Sequence, residues 1–105
     1  MPAGILKRRE DPVECARREL LEETGYEAHK LQRMISFYVA PGYSTEIIHT
    51  FKATGLTKSI QNTDDDEFIE VVEVNLDDCT EMIRRNEIID AKTICGIHAL
   101  ALGGR

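Results

Sequence analysis

Three glutamates near the start of the chain have the types and spacing to do chemistry. Glu19, Glu22 and Glu23 fall within Arg18-Glu19-Leu20-Leu21-Glu22-Glu23-Thr24-Gly25-Tyr26. On a helix they sit at i, i+3 and i+4, so the three carboxylates face one way. Like charges held that close repel, and a hard cation such as Mg²⁺ offsets the repulsion with oxygen ligands. The plainer reading of the same residues is a solvated acidic helix face. A second acidic run, Asp64-Asp65-Asp66-Glu67, reads by itself as a solvated charge run. It lacks the alternation, the central Gly and the terminal Glu of an EF-hand loop. Cys79 with Cys95-x-x-His98 lacks a fourth zinc ligand.

The glutamates need a helix to hold them, and the flanking residues supply one. Asp11 is an N-cap, Pro12 suits the first helical position and Glu14 stands at the capping-box position. Gly25 can take the left-handed conformation that stops the helix. Val13, Ala16, Leu20 and Thr24, with Leu21 beside them, recur at helical spacing and give a face to bury. Ahead of the helix, residues 2–6 read as the end of a strand. The basic triplet Lys7-Arg8-Arg9 reads as solvated, with a nearby phosphate as its second use.

Beyond the helix, residues 31–39 have strand character. Ala40-Pro41-Gly42-Tyr43-Ser44 is a turn, and Ile47, Ile48, Thr50 and Phe51 mark a second strand that Gly55 ends. The two strands are expected to pair antiparallel. Residues 68–74 read as a further strand. A helix starts at Leu76-Asp77-Asp78 with acids toward its positive end. A last helix spans roughly 90–102, with His98 as a packed histidine on its apolar face.

The stretch from Gly4 to Tyr26 resembles the Nudix box, G-x5-E-x7-R-E-U-x-E-E-x-G-U, at every fixed position, with Tyr26 where an aliphatic residue is usual. Other segments look like the ADP-ribose pyrophosphatase branch of that family. These are Pro2-Ala3-Gly4, the loop from Ala40 to Glu46, the run from Asp64 to Val71, and Asp90-Ala91-Lys92-Thr93. The resemblance implies an α/β protein, a Nudix-type α/β/α sandwich with a mixed sheet. It implies hydrolysis of the diphosphate bond of ADP-ribose, or of a related nucleoside diphosphate sugar, to AMP and ribose 5-phosphate.

Residue roles follow from the same resemblance. Glu19 and Glu23 look like the main Mg²⁺ ligands, with Mn²⁺ as a substitute ion, Glu22 in the same cluster and the carbonyl of Ala3 as a further ligand. Glu67, or a neighbour among residues 64–66, looks like the acid that binds metal or activates water, and Glu22 joins it as a catalytic candidate. Ile5, Pro41, Gly42 and Glu46 would lie near the substrate. Arg18 and Glu10 would brace the loop against the helix. The implied partner is a nucleoside diphosphate small molecule, and the implied assembly is a homodimer.

Composition bounds these readings. The chain has 105 residues, enough for one domain, 1–105. Its net charge of −6 argues against general nucleic-acid or membrane binding and requires local cations for an anionic substrate. No apolar run nears bilayer length and no signal peptide is evident. Three widely spaced cysteines read as reduced thiols, giving a cytoplasmic expectation. Three positions depart from the relatives' pattern: Lys7 replaces an acid, Arg9 a glycine and Ala40 a serine. Relatives also carry several strands before the box, so an N-terminally truncated domain is expected. The alternative function is an impaired Nudix fragment that binds nucleotide or a protein partner.

Overall fold

The computed structural model describes residues 1–6, 9–59 and 72–103. Its elements are α1 (Pro12–Thr24), β1 (Tyr26–Tyr38), β2 (Ile47–Lys58), α2 (Leu76–Arg84) and α3 (Ala91–Gly103). The α/β class holds, and among the described residues the sheet is the pair β1-β2. The chain divides into two compact units, Met1–Arg33 with Phe51–Val71 and Met34–Thr50 with Val72–Arg105.

In the first unit, α1 forms where its caps place it. Asp11 has an extended backbone and accepts a 3.1 Å hydrogen bond from the Val13 amide, and Pro12 follows at the first turn. Gly25 takes φ 76 and donates to the Leu21 carbonyl at 2.8 Å. Glu14 does not close the expected capping box; it lies 4.0 Å from Arg17 instead. Val13, Ala16 and Leu20 are half-buried, and Cys15, at 6% exposure, is the buried residue of the helix. Arg17 donates to the Ala28 carbonyl at 3.0 Å and so ties α1 to the start of β1.

Three expected boundaries are corrected here. Residues 2–6 form no strand. β1 starts at Tyr26, immediately after the helix cap, rather than at Leu31. β2 does not end at Gly55 but runs through it to Lys58. Gly55 takes φ 65 inside the strand, and a Cβ there would stand 2.6 Å from the Cβ of His29. Only glycine fits both constraints. Arg33 covers the Phe51 ring at 5.7 Å, a cation–π contact.

In the second unit, Thr50 is buried, and its hydroxyl donates to the Ile35 carbonyl at 2.8 Å while accepting from the Ile35 amide at 3.2 Å. One residue on, Ser36 Oγ and His49 Nδ1 stand 2.7 Å apart, which sets the antiparallel register. The helix α2 is capped by Asn75, which accepts from the Asp78 amide at 2.9 Å, with Asp77 and Asp78 in the first turn and Arg84 in the last. α2 and α3 pack on each other. Asp90 caps α3 by accepting from the Thr93 amide at 3.0 Å. His98 is exposed rather than packed. Of the strand expected at 68–74, residues 68–71 lie outside the described residues and 72–74 form no strand. No described helix is long and apolar enough to cross a membrane.

Candidate functional site

The acidic face of α1 is met by the segment that precedes it. The Ala3 amide donates to Glu23 Oε2 at 3.2 Å across twenty residues of sequence. At Gly4 the backbone lies against the Glu19 side chain so closely that any Cβ would collide with its carboxylate. Gly4 is therefore needed for close approach, since its absent side chain is what lets segment and helix meet.

Arg18 organises the rest. Its Nε donates to Glu10 Oε2 at 3.0 Å and its Nη2 to Glu10 Oε1 at 3.1 Å, a bidentate pair. Nη2 also reaches the Ile5 carbonyl at 3.3 Å. Nη1 turns to the acidic cluster, donating to Glu19 at 2.7 Å and Glu22 at 3.3 Å. One guanidinium thus holds both the Ile5 carbonyl and the Glu10 carboxylate and neutralises part of the glutamate cluster. The hydrogen-bonded Glu10 carboxylate, then Glu19, holds its pKa well above the ordinary arginine value. Cys15 lies beneath, 3.7 Å from Nη2, and burial, reinforced by the charge of Glu10, pushes its thiol pKa up.

The structure thus gathers Ala3, Glu19, Glu22 and Glu23 in the first unit, with Ile5 joined to them through its carbonyl and its side chain 88% exposed. Pro41, Gly42 and Glu46 belong to the second unit and are exposed in the loop between β1 and β2. There Gly42 takes φ 96, the Tyr43 and Ser44 amides donate to the Ala40 carbonyl, and the Glu46 amide donates to Ser44 Oγ at 3.0 Å. Glu67 and its acidic neighbours lie outside the described residues.

The bridge from Arg18 to Glu19 and Glu22 goes beyond what the family resemblance implies, which pairs Arg18 with Glu10 alone. Its signal was the i, i+4 spacing of Arg18 and Glu22. The donor set of glutamate carboxylates and a backbone carbonyl is all oxygen and suits Mg²⁺ in kind. Among the described residues, no three His, Cys, Asp or Glu side chains converge on one point as a finished metal site.

The N-terminal segment thus lies on a carboxylate-bearing helix and is held there by an arginine. The NUDIX domain model matches residues 1–95, and the chain belongs to the Nudix family. It is 44% identical over 104 residues to the ADP-ribose pyrophosphatase of Bacillus subtilis, covering 97% of this chain and 56% of that protein. Over 104 residues it is 42% identical to the methanol dehydrogenase activator of Bacillus methanolicus, with the same coverage of 97% and 56%. The GDP-mannose pyrophosphatase of Yersinia enterocolitica is 44% identical over 96 residues, covering 88% of this chain and 49% of the relative. The chain spans about half the length of these curated relatives.

Proposed function

We propose that the chain is a single Nudix domain, 1–105, that with Mg²⁺ or Mn²⁺ hydrolyses the diphosphate bond of ADP-ribose to AMP and ribose 5-phosphate, or that of a related nucleoside diphosphate sugar to the corresponding nucleoside monophosphate and sugar phosphate. The observation that carries this reading is the hydrogen bond from the Ala3 amide to Glu23, which lays the N-terminal segment on the acidic helix face.

Glu19, Glu23, Glu67 and the Ala3 carbonyl would hold the ion, with Glu22 beside them. When bound, a divalent ion neutralises diphosphate oxygens and lowers the pKa of a bound water. The chain's own residues do the remainder. Glu67, or a neighbour among residues 64–66, accepts a proton from the attacking water as general base, with Glu22 as second candidate. The water oxygen bonds to phosphorus, and the bond from that phosphorus to the bridging oxygen breaks. Ile5, Pro41, Gly42 and Glu46 would lie near the substrate. Arg18 acts from behind by fixing the loop and the acidic face relative to each other.

The relatives' names support the substrate class: ADP-ribose for one, GDP-mannose for another. A partner-binding module is the second reading, favoured by the relative named as an activator of another enzyme. The partner of the first reading is a nucleoside diphosphate rather than a polyanion or a membrane, in keeping with a net charge of −6. We place the protein in the cytoplasm with reduced thiols; all three cysteines are free. A homodimer would cover exposed Tyr38, Val39 and Ile47.

The test is a panel of ADP-ribose and GDP-mannose with Mg²⁺, run on the chain and on Glu23→Gln. The variant should fold normally and lose about 10²-fold or more in turnover, the scale of a positioned catalytic group. Equal turnover by both proteins overturns the assignment. Light scattering on the same samples checks the dimer.

A further inference from the structure

Arg9 is a non-glycine residue with φ 65, in the left-handed region that side-chain-bearing residues enter at a cost. The turn it makes has a clear use. It carries the chain from the loop into Glu10, whose carboxylate returns to Arg18, the guanidinium that also holds the Ile5 carbonyl. Glycine would make that turn without strain. The turn therefore explains the backbone and leaves the arginine side chain unexplained. Nor is that side chain taken up by an ion pair among the described residues. Arg9 is exposed, and among the described residues no carboxylate lies within 4.0 Å of its guanidinium. The neighbouring acids Glu10, Glu19 and Glu22 are engaged by Arg18 instead.

We propose that Arg9 is a diphosphate-binding residue of this chain, offering its guanidinium fork to the non-bridging oxygens of a nucleoside diphosphate held at the acidic face. The assignment deepens the hydrolase reading above and rests on it for the substrate class. The chemistry favours this ligand. A planar guanidinium pairs two N–H groups with two phosphate oxygens, a match that neither a lysine nor a backbone amide reproduces. A chain of net charge −6 with a glutamate cluster at its site repels a diphosphate, and a cation at position 9 with no ion-pair partner among the described residues opposes that repulsion.

The experiment titrates inorganic pyrophosphate, with MgCl₂ throughout, into wild type, Arg9→Gly and Arg9→Lys by calorimetry, and records the melting temperature of each. Arg9→Gly relieves the strained φ, so its melting temperature should rise while pyrophosphate affinity falls about tenfold or more, the weight of a charged hydrogen-bonded contact. Arg9→Lys keeps the charge without the fork and should fall between the two. Loss of affinity together with a gain in stability is a combination that a purely structural role for Arg9 does not produce. Pyrophosphate binding by Arg9→Gly at wild-type strength overturns the proposal, as does a wild-type chain that binds no pyrophosphate. If no nucleoside diphosphate sugar is hydrolysed yet pyrophosphate binding still depends on Arg9, the hydrolase reading fails and the anion contact stands.

Discussion

Arg18 grips Glu10 through two parallel hydrogen bonds, Nε at 3.0 Å and Nη2 at 3.1 Å, with side-chain exposures of 21% for the arginine and 15% for the glutamate. The pair is largely withdrawn from water and its geometry is that of a fork. A lysine at position 18 would carry the charge but could not serve Glu10, Glu19, Glu22 and the Ile5 carbonyl together. Arg18→Lys should destabilise the chain by about 2 kcal/mol, the scale of charged hydrogen bonds left unmade. Urea unfolding checks this, and an unchanged midpoint would show that the clasp contributes nothing to the fold.

Gly4→Ala asks a different question of the same site. The added methyl collides with the Glu19 carboxylate, so either the loop or the acid must move. Turnover should fall about 10²-fold, as expected when a catalytic group is displaced by roughly an ångström. The melting temperature should change little, because residues 1–6 are exposed. Kinetics and a thermal scan on one preparation separate the two effects.

Asp90 gives a pH prediction. The Thr93 hydroxyl, and then Lys92, lower its carboxyl pKa from 3.8 to about 2. A carboxyl whose folded pKa lies below its unfolded one stabilises fully above the unfolded value and loses that contribution as pH falls through the folded value. The window is therefore from about pH 4 down to about pH 2. Asp90→Asn keeps an oxygen for the cap and removes the charge, so it should show a shallower loss of stability across that window. The difference should be small, since the group is exposed to solvent. Urea midpoints measured at steps of pH decide it.

The thiols should differ in reactivity. Cys15 is buried and its pKa is raised, first by burial and then by the nearby Glu10 carboxylate. Cys79 and Cys95 are partly exposed. Because the thiolate is the nucleophile, Cys15 should be the last of the three alkylated by iodoacetamide at mildly alkaline pH. Peptide mapping over time reads the order directly, and early labelling of Cys15 would contradict it.

The helix α1 was legible because its signals are local: Asp11, Pro12 and Gly25 act on their own neighbours. The spacing of Glu19, Glu22 and Glu23 against Gly4, Glu10 and Arg18 was legible through its resemblance to the Nudix box, since the three glutamates alone read equally as a solvated face. The start of β1 was not. Tyr26-Glu27-Ala28-His29-Lys30 has a single buried residue, Ala28, so the alternation that marks a strand is faint. The run of β2 through Gly55 was hidden because glycine commonly ends a strand, and only the His29 contact reveals why it is kept there. The Ala3 amide could not be seen as a partner of Glu23, since a backbone group leaves no trace in residue type. The half-buried state of Val13, Ala16 and Leu20 depends on what packs against α1, which helical periodicity does not contain.

Gly55 also bears on how mutational tolerance should be interpreted in this chain. A saturation scan would score position 55 as severely as a glutamate of the acidic face, because every side chain meets both the His29 Cβ and a positive φ. Yet glycine has no acid, base or cation to give to a reaction. Intolerance at that position would report the path of a strand, and a ranking of residues by fitness loss alone would promote it wrongly into the active site.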